Sequence, residues 1–244
     1  MDKQIIILAA GHGSRMKAEI PKVMHEVADL PMLEHVVRNC RKVSDDLTLV
    51  YSDHLEPYLP EFKDRCKLVR QQQQLGTAHA TAVAMGEFNP NKAIAVIYGD
   101  NPLITSEIIN NLFEHLEKTN SKAVTLAFEY DKPNQYGRIV TNDNNNFLRI
   151  VESKFADKDE IKITLCNSGV MAFAPGILEQ YIDQCLVPDP KKQGKELYLT
   201  EIIEICAAAG EKVSYFKEAN HKLVLGVNTQ AELKAANIIV EKSD

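Results

Sequence analysis

Residues 5–22 read IIILAAGHGSRMKAEIPK. The opening run, Ile5-Ile6-Ile7-Leu8, is apolar and β-branched with no polar alternation, the pattern of a strand buried on both faces. Ala9, Ala10, Gly11 and Gly13 come next. Small side chains let backbone approach a ligand closely, and their N–H groups can turn inward as an anion-binding nest. Arg15 and Lys22 bring positive charge to the same place. A loop after the first strand of an α/β sheet lies at the C-terminal edge of the strands, where such folds bind ligands. The stretch predicts an α/β fold and an anionic ligand, a nucleoside triphosphate held by its phosphates.

Two relatives of this loop are excluded. Met16 stands where the dinucleotide fingerprint has its third glycine, and the Gly-Lys-Ser/Thr ending of a P-loop is absent. The plainest alternative is a tight strand-to-helix turn with a surface arginine. That turn needs neither the spaced glycines nor Pro21-Lys22. The pattern LAAGxGxRM…PK resembles nucleotidyltransferases of the GT-A-like α/β type.

The 244 residues suffice for a sizeable core, with 45% apolar and 25% charged residues, ordinary for a globular protein. A net charge of −6 argues against a general nucleic-acid partner, which calls for a basic excess. Anionic substrates must then be held by local positive groups. Cys40, Cys66, Cys166, Cys185 and Cys206 are odd in number and widely spaced, so neither a zinc site nor a disulfide framework is expected. Reduced core thiols in the cytoplasm are the expectation. No signal peptide and no membrane span are read.

The chain predicts strand and helix in alternation. A helical face runs from Pro31 to Cys40, strands cover Leu47–Tyr51 and Cys66–Arg70, and a helix covers Ala78–Met85. Before that helix, Gln71-Gln72-Gln73-Gln74 lead into Leu75-Gly76-Thr77. An amide offers donor and acceptor together, which suits the edge of a pyrimidine. Ala93–Tyr98 is a further buried-type strand ending in Gly99-Asp100. A carboxylate at the end of an apolar strand needs a partner, and a magnesium ion suits it, with a turn-forming aspartate as the alternative. A helix starts near Ser106, capped by Thr105 or Ser106. The second half reads as a strand at Ala123–Phe128, a hairpin of Gly137–Val140 with Phe147–Glu152 around Asn142–Asn146, and a strand over Ile163–Phe173 bulged at Asn167-Ser168-Gly169. Pro188–Lys195 is an exposed connection. A helix over Leu199–Ala209 ends at Gly210, strands follow at Val213–Phe216 and Leu223–Val227, and a capping box, Thr229 to Glu232, opens a last helix. Together these predict a Rossmann-like mixed, mainly parallel sheet with helices on both faces.

The segments LAAGHGSRM, PKVMH, QLGTAHA, YGDNPL, YGRI, CNSGV, LYLTEI and GVN, with the strand ending in Glu152, run in order from Leu8 to Asn228. As a set they resemble the uridylyltransferase domain of the bifunctional N-acetylglucosamine-1-phosphate uridylyltransferase / glucosamine-1-phosphate acetyltransferase family, of nucleotide-diphospho-sugar transferase fold. The resemblance implies a magnesium-dependent transfer from UTP to N-acetylglucosamine 1-phosphate, forming UDP-N-acetylglucosamine and pyrophosphate. It implies that Leu8, Ala9, Ala10, Gly11, Gln71, Gly76 and Thr77 hold the uridine, and that Arg15 and Lys22 contact the triphosphate and carry catalysis. Asp100, behind Gly99, and Asn228 would bind the metal. Tyr98, Gly137, Glu152 and Asn167 would line the sugar side. Residues about 1–120 would form the nucleotide-binding part and about 121–228 the sugar-binding part, with 229–244 a C-terminal helix. A neutral N-cap remains the alternative for Asn228, and an exposed hairpin residue for Glu152. Thr229-Gln230 replace the family's usual Asn-Arg, and Ser168 its usual threonine. The family continues into a linking helix and a β-helix acetyltransferase domain. No hexapeptide array is present here, so neither acetyl transfer nor an oligomer is expected. Other sugar-phosphate or cytidylyl transferases, or a non-catalytic nucleotide-sugar binder, are the alternatives. His12 and His25 read as surface or packing residues and His79 as structural.

Overall fold

The computed structural model describes residues 1–11, 13, 16, 20–132, 134–143, 147–188 and 196–241. Its first half holds β1 (Lys3–Leu8), the short ribbon β2 (Glu26–Val27) and β3 (Leu30–Pro31), and α1 (Met32–Arg41). It continues through β4 (Leu47–Tyr51), β5 (Lys67–Arg70), α2 (Thr77–Ala82), β6 (Ala93–Tyr98) and α3 (Ser106–Thr119). The second half holds β7 (Ala123–Glu129), β8 (Gly137–Thr141), β9 (Phe147–Val151), β10 (Leu165–Phe173), α4 (Ile177–Tyr181), α5 (Glu201–Ala208), β11 (Val213–Glu218) and α6 (Gln230–Glu241).

The unbroken apolar run becomes the buried strand β1. Successive side chains point to opposite faces of a strand, so Ile5 and Ile7 enter one core while Ile6 and Leu8 enter the other. Helices cover both faces. Leu33, Val36, Val37 and Cys40 of α1 pack with Ile109, Leu112 and Phe113 of α3 in the first core. Ala78 and Ala80 of α2 join Ile202, Ile203 and Cys206 of α5 in the second. Each fully buried Leu or Val side chain contributes about 1.5–3 kcal/mol. All five cysteines are buried and free.

Among the described residues the nine-stranded sheet runs β11-β7-β10-β6-β1-β4-β5, with β8 hydrogen-bonded to β10 and β9 to β8. Strands β5, β4, β1 and β6 are parallel, β10 is antiparallel to both β6 and β7, and β11 is parallel to β7. The strands other than β10 on that path therefore share one direction and end at one rim. After β5 the chain crosses to the far side of β1 to form β6. The switch in strand order between β1 and β6 opens a crevice at their C-terminal ends, the position where open α/β sheets bind ligands.

The hairpin forms as β8–β9, and β10 slips register between Asn167 and Met171, the predicted bulge. Gly210 follows α5 with φ +84°. Thr229 Oγ1 accepts from Glu232 N at 3.2 Å, the predicted cap, while Glu232 accepts from Asn228 N at 2.7 Å, one residue before the N–H that a full capping box would use. The predicted strand Leu223–Val227 does not form. A 3-10 turn, His221–Leu223, and an irregular stretch replace it. Val224 and Val227 are buried, but the backbone bonds sideways. Val227 N donates to Asp100 O at 2.8 Å, and Val224 O accepts from Asn101 Nδ2 at 3.1 Å. Burial there comes from the loop after β6, not from a neighbouring strand. Of the two predicted connections, residues 144–146 and 189–195 lie outside the described residues. Among the described residues no helix is long and apolar enough to cross a membrane.

Candidate active site

A cavity of about 530 Å³ opens at the switch point. One wall is the glycine turn after β1, anchored by Ala9 N to Val50 O at 2.8 Å and by Gly99 N to Leu8 O at 2.9 Å. Pro21 is the N-cap of a 3-10 turn, Lys22–Met24, which sets Lys22 against the glycine turn. A Cβ at Gly13 would come 2.5 Å from Lys22 Cβ, so only glycine leaves room for the lysine stem. The Lys22 ammonium forms an ion pair with Asp100 and donates to Asn228 Oδ1 at 3.1 Å. Lys22 and Asp100 side chains are 13% and 15% exposed, so the pair is largely shielded from water.

The opposite wall is the turn between β5 and α2. Gln71 is buried, with its N–H bound to Tyr51 O at 2.8 Å. Its Nε2 donates to Gly76 O at 3.3 Å and lies 2.9 Å from His79 Nδ1. Thr77 Oγ1 accepts from Leu199 N at 3.0 Å, tying α2 to the segment before α5.

A third group adjoins the cavity through Tyr98. The Tyr98 hydroxyl is raised in pKa by desolvation, against the lowering effect of its hydrogen bond with Thr77. The Glu152, Asp100 and Glu196 carboxylates raise it further, so it stays a neutral phenol. Its ring lies on the β10 bulge, where a Cβ at Gly169 would come 2.9 Å from Tyr98 Cε2. Asn167 pairs with Gly137 across β10 and β8, and its Oδ1 accepts from Thr125 Oγ1 at 2.5 Å and from Gly169 N at 3.0 Å. Glu152 is half-buried beside Gly137, and its Oε1 accepts from Thr200 Oγ1 at 2.8 Å. It is not the exposed hairpin residue of the alternative reading.

Of the residues singled out by sequence, Leu8, Ala9, Ala10, Gly11, Lys22, Gln71, Gly76, Thr77, Tyr98, Asp100 and Asn228 line the cavity. Gly99 lies behind it, packed against Ala9, Val23 and Leu33. Gly137, Glu152 and Asn167 form the adjoining group. Arg15 and His12 lie outside the described residues. Gln74 and Leu75, within the stretch whose amides suit a pyrimidine edge, also line the cavity, as do Val23, Ala80 and Glu196, which the sequence did not single out. Gln74 hides in a run of four identical residues. Glu196 follows a polar connection and carries no local signal. Its carboxylate accepts from the Tyr198 hydroxyl and lies 3.4 Å from Lys154 Nζ.

Asp100 and Asn228 fit a divalent cation. One carboxylate and one amide oxygen already converge on a single cationic head, that of Lys22. Hard cations that keep water and phosphate ligands need few protein oxygens. Among the described residues there is no cluster of three or more His, Cys, Asp or Glu to hold a metal by protein alone.

The MobA-like NTP transferase domain profile matches residues 5–166. The bifunctional protein GlmU of Lactobacillus delbrueckii subsp. bulgaricus is 37% identical over 244 residues, covering 99% of this chain and 52% of that protein. That of Desulfotalea psychrophila is 36% identical over 237 residues, covering 96% of this chain and 69% of that protein. The chain thus spans about half the length of the first of these relatives. An apo UDP-glucose pyrophosphorylase shares the fold with TM-score 0.76 at 17% identity, covering 100% of this chain and 99% of that one. So does the 4-diphosphocytidyl-2C-methyl-D-erythritol synthase of Anaerococcus prevotii, with TM-score 0.69 at 17% identity and 98% of both chains covered. By the profile match over residues 5–166 and by these identities, the chain belongs to the MobA-like NTP transferase domain family and, within it, to the GlmU proteins.

Proposed function

We propose that this chain is a magnesium-dependent uridylyltransferase that forms UDP-N-acetylglucosamine and pyrophosphate from UTP and N-acetylglucosamine 1-phosphate. The observation that carries this reading is the meeting of Lys22, Asp100 and Asn228 between a glycine turn and a tyrosine–carboxylate group. In this reaction a sugar phosphate oxygen attacks the α-phosphorus of UTP, and pyrophosphate leaves with the bonding pair. The nucleophile is already ionised, so no side chain has to act as a base. Catalysis reduces to holding two anions in line and offsetting their charge.

The residues divide that task. Leu8, Ala9, Ala10 and Gly11 bring backbone to the nucleotide, with Gln71, Gly76 and Thr77 at the base. Lys22 and Arg15 neutralise the triphosphate. Tyr98, Gly137, Glu152 and Asn167 take the acetamido sugar, and Thr200 orients Glu152 through its 2.8 Å bond. A magnesium ion bound by Asp100 and Asn228 would add a compact positive charge beside the phosphates. In this reading residues about 1–120 serve the nucleotide and about 121–228 the sugar, with α6 (Gln230–Glu241) beyond them. Five free, buried thiols support the cytoplasm as its compartment.

A panel of nucleoside triphosphates and sugar 1-phosphates, scored by pyrophosphate release with and without magnesium, tests the proposal. UTP with N-acetylglucosamine 1-phosphate should be the preferred pair, and only with the metal. A preference for CTP or for glucose 1-phosphate would reject the specificity.

A further inference from the structure

Gln71 is 2% exposed, and a buried amide must place both of its N–H groups. One goes to Gly76 O at 3.3 Å. That carbonyl also accepts the helix bond from Ala80 N at 3.0 Å, so it can only be an acceptor here. Turning the amide over would set two acceptor oxygens against each other. The second N–H faces His79 Nδ1 at 2.9 Å. His79 Nδ1 must then accept, which puts the imidazole proton on Nε2. With both N–H groups committed inside the protein, Gln71 keeps only its carbonyl oxygen to offer to the cavity it lines.

We infer that His79 is the residue that makes this pocket choose between pyrimidines. Uracil presents an imino N3–H, a donor that meets the Gln71 oxygen. Cytosine presents a bare N3 lone pair there, and needs a donor that Gln71 has already spent on His79 and Gly76. A Gln71 released from His79 keeps its bond to Gly76 O but regains one uncommitted N–H, and with it can serve cytosine as well as uracil. His79 touches neither base nor phosphate in this account. It is a positioning residue, and it converts an ambivalent amide into a pure acceptor. The inference rests on the proposed assignment of the Gln71–Thr77 turn to the base.

The test compares kcat/KM for UTP and CTP, each with N-acetylglucosamine 1-phosphate, in the wild type, His79→Leu and His79→Asn. Leucine removes the acceptor; asparagine keeps one near the Nδ1 position. The UTP:CTP ratio should fall about tenfold or more in His79→Leu, the scale of one lost buried polar match. It should return to within about threefold of wild type in His79→Asn. A His79→Leu enzyme that is slower but keeps the ratio would overturn the inference and leave His79 a packing residue. So would a His79→Asn enzyme as unselective as His79→Leu. A wild type that does not use UTP would overturn the base-site assignment itself, and the inference with it. Nitrogen-15 NMR on the wild type needs no variant: the Nε2–H tautomer of His79 is expected, and the Nδ1–H tautomer would refute the account.

Discussion

Gly76→Ala is the substitution whose consequence follows most directly from the geometry. Gly76 has φ +122° and ψ −178°, a region essentially reserved for glycine. An alanine Cβ would fall 2.3 Å from Leu197 O, 2.5 Å from Leu197 N and 3.0 Å from Leu197 C. These are backbone atoms, which cannot rotate aside. The same stretch is tied to the α2 turn by Leu197 N to Leu75 O at 2.8 Å and Ala78 N to Leu197 O at 2.9 Å. Making room for the methyl group breaks both bonds. The backbone conformation costs about 1–3 kcal/mol in alanine, and the two bonds contribute about 0.5–1.5 kcal/mol each. A loss of about 2–6 kcal/mol follows, a large share of the 5–15 kcal/mol that holds a typical domain together. Urea unfolding followed by circular dichroism measures it. Gly86→Ala is the control, because a Cβ there meets nothing within 4 Å and should change stability by less than about 0.5 kcal/mol. The displaced segment carries Glu196 and adjoins Leu75, so KM for UTP should rise as well. A Gly76→Ala protein as stable as wild type, with an unchanged KM, would refute the reasoning.

Asp100→Asn should lower turnover by about a hundredfold or more, on the order of 3 kcal/mol of barrier, while leaving the fold intact; pyrophosphate release and circular dichroism check the two halves, and full activity would rule out the proposed ligand role. Burial lowers the His25 pKa below its usual 6.5, with no hydrogen-bond partner for its Nε2 among the described residues, and burial does the same to His115. The unfolded chain then binds more protons in the window just under 6.5, so stability must fall as pH drops through it. Urea midpoints at about pH 7.5 and about pH 5.5 should show that loss, and His25→Phe should show less of it.

Local pattern made much of this fold legible. The run Ile5–Leu8 has no polar alternation because both of its faces are covered. The stripe Leu33, Val36, Val37 and Cys40 marks one helical face, and Asn167-Ser168-Gly169 announces a bulge because glycine relaxes the pleat. Such signals are burial written at a period of one or two turns or pleats. The same logic failed at Leu223–Val227. Its valines are buried, but periodicity reports burial and not whether the covering partner is a strand or a loop. It also could not choose Gln71 and Gln74 from four glutamines, since their side chains are sorted only by how the turn packs on Leu197.

The motif set named the residues of the site in their order along the chain; it held no distances. Lys22 meets Asp100 and Asn228 across separations of 78 and 206 residues. That meeting depends on the crossover that carries the chain past β1, and on the sideways bond from Val227 to Asp100. The role of His79 is of the same kind. Its imidazole is ordinary in sequence, and only the packed turn decides which of its nitrogens faces Gln71 and therefore whether that amide has an N–H to spare. Composition and periodicity act over a few residues, so they determined the elements and the type of chemistry. Long-range closure of the chain decided which groups share a cavity, because that choice is made by tertiary contacts between segments with no local influence on one another.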